Sequence, residues 1–101
     1  MKDDLRRGGR PLVAIVTLDE DISELEDLAR SAGYEVRYEI IQRRRFPNTR
    51  TFIGKGKLKD VKQVLDMAPV SALIINGELR PSQHYLLESQ LGVECIDRVR
   101  L

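Results

Sequence analysis

The sequence has one cysteine, no tryptophan and no apolar stretch of the length that crosses a membrane. Its single thiol, Cys95, has no partner for an internal disulfide and lies in the apolar segment GVECI, which predicts a buried, unreactive side chain. A membrane span needs about 20 apolar residues, and the N-terminal segment MKDDLRRGGRP lacks the continuous apolar core of a secretory signal. These absences indicate a cytoplasmic protein that folds without disulfide bonds.

Charge is distributed unevenly along a chain that has the size of one domain, 101 residues. Hydrophobic residues make up 42% and charged residues 33%, as is typical of a globular protein. The net charge is only +1, yet six acids and no base lie between Asp19 and Asp27. Between Arg43 and Lys62 there are eight bases and a single acid, Asp60. This distribution predicts one acidic and one basic region on the molecule.

Apolar periodicity predicts five strands and three helices in the order β-α-β-β-α-β-α-β. Glycine at positions 33 and 92 is expected to end two helices, and Pro81 to begin one. Residues 1–11 are predicted to be a flexible lead-in, and residues 12–101 to form the domain. The fold class is α/β: a three-layer, mostly parallel open sheet of about five strands with helices on both faces. The predicted strands lie in the segments PLVAIVTL, YEVRYEI, TFIG, VSALIING and VECI.

The run Gly54-Lys55-Gly56-Lys57 enters the second predicted helix, where free backbone N–H groups and the helix dipole attract anions. It is not a nucleotide loop. The Walker pattern G-x-x-x-x-G-K-[ST] fails because Thr51 stands at its first glycine and Leu58 at its hydroxyl position. The G-x-G-x-x-G pattern fails at Lys59. Two readings remain open, a phosphate contact and a plain strand-to-helix turn.

A basic stripe leads into the same run, with Phe46 and Phe52 placed between the charges. Such a stripe is typical of a surface that contacts RNA phosphates and stacks a base. The alternative is a solvated edge that prevents sheets from associating. Phe52 is expected in the core, and the position of Phe46 is open. The candidate phosphate or RNA contacts are Arg43, Arg44, Arg45, Arg50, Gly54, Lys55, Gly56 and Lys57.

Catalytic, cofactor-binding and metal sites have no complete motif in the sequence. His84 has no second histidine or cysteine at metal-ligand spacing, and no Ser-His-acid arrangement follows from the spacing. A phosphoacceptor receiver domain needs an aspartate at the end of a central strand, where this chain has Asn76. We therefore predict a binding or regulatory domain rather than an enzyme.

The second half of the chain resembles the N-terminal domain of the HflX family of ribosome-associated GTPases. The resemblance lies in FIGKGKLKDVKQVL and in SALIINGELRPSQHYLLESQLGVECIDR, and it is looser from Leu12 to Thr49. Where the family commonly has an acidic pair before Glu78-Leu79, this chain has Asn76-Gly77. The matching positions after that pair are Pro81, Ser82, Gln83, Leu87, Glu88, Gly92, Val93, Ile96, Asp97 and Arg98.

This resemblance implies a longer parent protein, in which a helical hairpin and a G domain that binds GTP and Mg²⁺ follow residues 12–101. It implies binding to the large ribosomal subunit, with no GTP hydrolysis by this chain alone. The expected role is to contact rRNA or to pack on the G domain and modulate its nucleotide state. The main alternative is a regulatory module that docks on a partner domain without RNA. A small nucleotide-binding enzyme is the third reading, and it has no complete phosphate motif.

Overall fold

The computed structural model describes residues 5–101, which form a mixed α/β domain with one open sheet. Strands β2, β4 and β5 are joined in that order, and β3 pairs with the other side of β2, so four strands run parallel. The short β1 pairs antiparallel with the start of β2. The strands are β1 Arg6–Arg7, β2 Arg10–Thr17, β3 Glu35–Ile41, β4 Ala72–Ile75 and β5 Glu94–Asp97, and the helices are α1 Ser23–Ser31, α2 Lys55–Met67 and α3 Pro81–Leu91.

The central strand β2 is buried on both faces, which explains its continuous apolar sequence. Its alternate side chains Leu12, Ala14 and Val16 face the core shared with α2 and α3. Val13 and Ile15 face the opposite core, which packs against α1. Helices therefore cover both faces of the sheet, and the predicted three-layer α/β class is confirmed.

The second and third helices bury one apolar stripe each against the same face of the sheet. Leu58, Val61 and Leu65 form the buried stripe of α2, and Leu87 and Leu91 belong to that of α3. Helix α3 ends at Gly92 with φ 67°, a left-handed conformation that glycine adopts without strain. Within residues 5–101, no helix has the length and apolar character needed to cross a membrane.

Two predicted segments differ from the structure. Residues 1–4 of the predicted lead-in lie outside the described residues, and residues 6–11 form a hairpin in which Arg6 pairs with Pro11 and Arg7 with Arg10. The prediction of a short strand at TFIG is wrong. Only an isolated antiparallel bridge joins Asn48 to Phe52, and Phe52 adopts a φ of 69°. The chain reverses direction there, so it cannot extend along the sheet.

Candidate nucleic-acid contact site

A long loop, residues 42–54, joins the carboxyl end of β3 to the start of α2. It leaves the sheet at the edge where parallel α/β proteins usually place their ligands. The loop stays close to the sheet at its beginning, because the Gln42 N–H donates to Thr17 O at 3.0 Å and the Arg44 N–H to Leu18 O at 3.4 Å. We call this loop, which carries Arg43, Arg44, Arg45 and Arg50, the basic loop.

The glycine-lysine run forms the first turn of α2, with Gly54 as the N-cap residue and Lys55 as the first helical residue. The sequence had placed this run in a turn before the helix. The Gly54 N–H donates to Gln42 Oε1 at 2.7 Å, so the helix start is tied to the end of β3. No side chain among the described residues caps α2, and its first turn holds no acid. As in any helix, the N–H groups of this first turn have no intrahelical acceptor, and Lys55 and Lys57 belong to the same turn.

All four arginines of the basic loop are exposed, and the three consecutive ones contact different neighbours. Arg43 forms an ion pair with Glu20. Arg44 donates from Nε to Phe46 O at 3.2 Å, and its Nη1 would lie 2.8 Å from a Cβ added at Gly54. The Arg45 guanidinium lies 5.8 Å from the centroid of the Phe46 ring, a cation–π contact. Arg44 is therefore the loop arginine that lies beside the helix start.

The aromatic residues of the stripe have opposite environments. Phe46 is 71% exposed and is available to stack on a base. Phe52 is 4% exposed and belongs to the core, as predicted, although the strand on which that prediction rested is absent. Its ring packs against Gly77, where an added Cβ would lie 2.7 Å from Cε1 and Cζ. Phe52 thus anchors the loop and takes no part in contacts with solvent.

Two further candidates line a groove near the end of the loop. Arg50 and Lys55 lie on this groove with the polar side chains of Asn48 and Thr51. Lys57 is half-buried in the first turn of α2. The structure thus places the predicted candidates along one end of the domain, although they converge on no single buried pocket.

The acidic segment lies next to the basic one. Asp19 and Glu20 line one surface with the three consecutive arginines of the basic loop. Farther along the acidic segment, Glu24 forms an ion pair with Arg98, with 3.0 Å between Oε1 and Nη2. The two predicted charge regions therefore share a border, because the segments that follow β2 and β3 emerge side by side.

Sequence reasoning missed three polar residues that hold this end of the domain together: Gln42, Asn48 and Gln83. The Asn48 side chain forms an Asx turn. Its Oδ1 accepts hydrogen bonds from the Arg50 N–H at 2.9 Å and from the Thr51 N–H at 3.1 Å. Gln83 is buried and caps α3. Asn after Pro47, and Gln at the third position of a helix, are the signals that could have found two of them.

Asp97 is a buried carboxylate that ties together the segments after β4 and β5. It is 2% exposed, and its Oδ2 accepts a hydrogen bond from the Leu79 N–H at 2.8 Å. Its Oδ1 accepts from the Arg100 N–H at 3.0 Å. The Arg98 N–H donates to Gly77 O at 3.1 Å in the same region. Asp97 therefore fixes the turn at Gly77 against which the Phe52 ring packs.

His84 and Glu88 lie one helical turn apart on α3 and cover the backbone of the edge strand β5. Glu88 Oε2 accepts from the Cys95 N–H at 2.9 Å, and His84 Nε2 lies 2.9 Å from Cys95 O. Since a carbonyl only accepts, this His84 nitrogen carries the proton. No cluster of three metal-ligating side chains occurs in the part of the chain that the structure describes.

Burial raises the pKa of the Cys95 thiol from 9.0 to about 12, and the nearby charges of Glu88 and Glu94 add to this effect. We expect iodoacetamide to alkylate Cys95 at pH 8 only when the protein unfolds. Between pH 9 and pH 12 the unfolded thiol loses its proton before the folded one does, so the free energy of unfolding should fall. Alkylation followed by mass spectrometry, and pH-dependent unfolding compared with Cys95→Ala, check both points. Fast alkylation of the native protein would contradict them.

The family model described as GTP-binding GTPase N-terminal matches residues 19–101 of this chain. The GTPase HflX of Caldanaerobacter subterraneus subsp. tengcongensis is 39% identical over 93 residues, covering 89% of this chain and 22% of that protein. The GTPase HflX of Thermococcus kodakarensis is 39% identical over 79 residues, covering 78% of this chain and 18% of that protein. The chain thus spans about a fifth of the length of these curated relatives.

Solved structures with the same fold are GTP-binding proteins. A GTP-binding protein from the hyperthermophilic archaeon Sulfolobus solfataricus, in complex with GDP, superposes with a TM-score of 0.65 at 26% identity. The match covers 86% of this chain and 27% of that one. A complex of SsGBP with GDP gives a TM-score of 0.70 at 26% identity, over 87% of this chain and 26% of that one. The chain belongs to the GTP-binding GTPase N-terminal family, as an N-terminal domain of the HflX type.

Proposed function

We propose that this domain contacts RNA of the large ribosomal subunit through the basic loop and the first turn of α2. In a full-length GTPase of the cytoplasm it would also pack on the G domain, which binds GTP and Mg²⁺, and modulate its nucleotide state. GTP hydrolysis belongs to that G domain, because the sequence of this chain has no complete phosphate-binding motif. The observation that carries the RNA proposal is the alignment of loop arginines and an uncapped, lysine-flanked helix start at one end of the sheet.

Phosphate contact fits the chemistry of this surface. One exposed guanidinium group can donate hydrogen bonds to two oxygens of a phosphate. The N–H groups in the first turn of a helix are further hydrogen-bond donors for an anion. Exposed Phe46 provides a stacking surface beside the Arg45 charge. The neighbouring acids, including Glu20 in its pair with Arg43, would repel RNA on one side and so orient it along the basic loop.

Charge reversal at the helix start should weaken RNA binding and reduce its salt dependence. In a Lys55→Glu, Lys57→Glu variant we expect the affinity for large ribosomal subunits to fall about tenfold or more at low salt. The slope of log affinity against log salt should decrease by about 1 for each lost phosphate contact. Co-sedimentation with purified subunits between about 50 and 200 mM salt measures both quantities.

The matched control is Arg6→Glu, Arg7→Glu, which changes the net charge equally on exposed residues of β1. These residues pair with the start of β2, at the end of the sheet opposite the basic loop. The control should retain most of the wild-type affinity. Equal losses in both variants would show a non-specific charge effect, and no loss at positions 55 and 57 would remove the helix start from the site.

A protein-docking role without RNA is the second candidate. The observation in its favour is a set of exposed apolar side chains on the two helices that share one face: Met67 is 87% exposed and Tyr85 is 70% exposed. Docking through such groups depends weakly on salt, whereas phosphate contact is lost steeply as salt rises. The salt series above therefore separates the two candidates with one experiment.

A further inference from the structure

Gln83 connects α3 to the basic loop through both polar atoms of its side chain. Its Oε1 accepts from the Arg80 N–H at 2.9 Å and caps the helix. Its Nε2 donates to Asn48 O at 3.0 Å, across 35 positions in the sequence. The residue is only 3% exposed, so neither bond is readily replaced by water. A buried amide that satisfies a helix end and a loop carbonyl together is a specific structural link.

The loop end of this link is a closed turn. The Asn48 N–H donates to Phe52 O at 2.8 Å, and the Phe52 N–H donates back to Asn48 O at 3.0 Å. The Asn48 Oδ1 holds the N–H groups of Arg50 and Thr51 inside the turn. These bonds define the shape of the turn but connect it only to itself. The Gln83 bond to Asn48 O connects that turn to a helix of the core.

We infer that Gln83 is a positioning residue of the basic loop, which acts on the turn between Asn48 and Phe52. By holding Asn48 O, it fixes the turn that carries Arg50, a residue that lines the same groove as Lys55. Glutamine is suited to this position because one end of its amide accepts and the other donates. Glutamate only accepts, so it retains the Arg80 bond and loses the Asn48 bond. Methionine has similar length and loses both.

Trypsin cleaves after arginine, so its rate of cleavage within the arginine-rich basic loop measures how often the loop leaves its folded position. In Gln83→Glu we expect cleavage after Arg50, which lies inside the turn that begins at Asn48, to become about five- to tenfold faster, the effect of losing one hydrogen bond at a buried site. Cleavage after Arg43, Arg44 and Arg45 should change less, because backbone hydrogen bonds tie the beginning of the loop to the residues at the end of β2. Cleavage at sites in the helices, such as Arg30 and Lys62, should change less. Intact-mass analysis of early digestion products assigns each cut.

Three variants separate positioning from general loss of stability. Gln63→Glu makes the same substitution on an exposed position of α2 and should be cleaved like the wild type at the arginines of the basic loop. Leu25→Ala destabilises the opposite core and should speed all cuts equally. Gln83→Met should open the loop as far as Gln83→Glu, although only the methionine variant loses the helix cap. The inference would be overturned if either Gln83 variant were cleaved in the loop at the wild-type rate. It would also be overturned if cleavage became faster by the same factor at every site.

The consequence for RNA rests on the proposed function, whereas the digestion does not. If wild-type protein binds large subunits, Gln83→Glu should weaken that binding about threefold or more, and Gln63→Glu should not. If wild-type protein fails to bind, the proposed function is wrong and the digestion still tests Gln83. If binding is normal in Gln83→Glu although the loop is cut faster, loop position does not control RNA contact.

Discussion

Asp97→Ala is expected to lower the free energy of unfolding by about 2–4 kcal/mol. The buried carboxylate accepts from the Leu79 N–H and the Arg100 N–H, and alanine leaves both donors without this acceptor. Leu79 is buried, so its N–H cannot turn to water, whereas Arg100 is exposed and recovers part of the loss. Urea denaturation followed by circular dichroism measures the change.

Asp97→Asn is the control that separates hydrogen bonding from packing. Asparagine has the size of aspartate but only one acceptor oxygen, so it retains one of the two bonds and directs an NH₂ group at the other donor. We expect its loss of stability to lie between that of the wild type and that of Asp97→Ala. A loss below about 1 kcal/mol in Asp97→Ala would mean that water replaces the carboxylate at the Leu79 N–H.

The sheet was predictable because its central strand has no polar face. The continuous apolar run of β2 fits only a strand covered on both sides, and the helices between strands then require parallel pairing. The end of α3 was predictable for a local reason, since Gly92 adopts the left-handed conformation of a helix stop. In such places local sequence and global fold favour the same structure.

The basic loop was not predictable, because its conformation depends on residues distant in sequence. Phe52 has strand propensity, yet a bridge to Asn48 and a ring contact with Gly77 hold it at φ 69°. Tertiary packing overrides local preference there. The hairpin at residues 6–11 was missed for another reason. Gly8-Gly9 indicates flexibility and a tight hairpin turn equally well, and the strand that follows decides between them.

The candidate site was predictable as a list of residues and not as a surface. Lysines and arginines are visible in the sequence, but the contact between Arg43 and Glu20 depends on β3 lying beside β2. Sequence spacing also gave no reason to connect Gln83 with Asn48. The charges of the site are therefore local information, and their positions depend on strand order and on buried polar links.

Phe52→Ala is expected to lower the free energy of unfolding by about 3–5 kcal/mol, the range for removing a buried aromatic ring. The ring fills the space above Gly77 and belongs to the core between the sheet and the two helices α2 and α3. Its loss leaves a cavity and frees the end of the basic loop from the core. Thermal and urea unfolding measure the loss, and faster trypsin cleavage at Arg50 should accompany it.

Gly77→Ala tests the same contact from the other side. In the wild type its methyl group would lie 2.7 Å from two ring carbons of Phe52, so the ring must shift and stability should fall by about 1–3 kcal/mol. In the Phe52→Ala background that methyl group enters the cavity, and the second substitution should cost little or restore stability. A double-mutant cycle therefore predicts a coupling energy of about 1–3 kcal/mol that favours the double variant over the sum of the single losses. Additive losses would show that the two residues act independently and that the basic loop is anchored elsewhere.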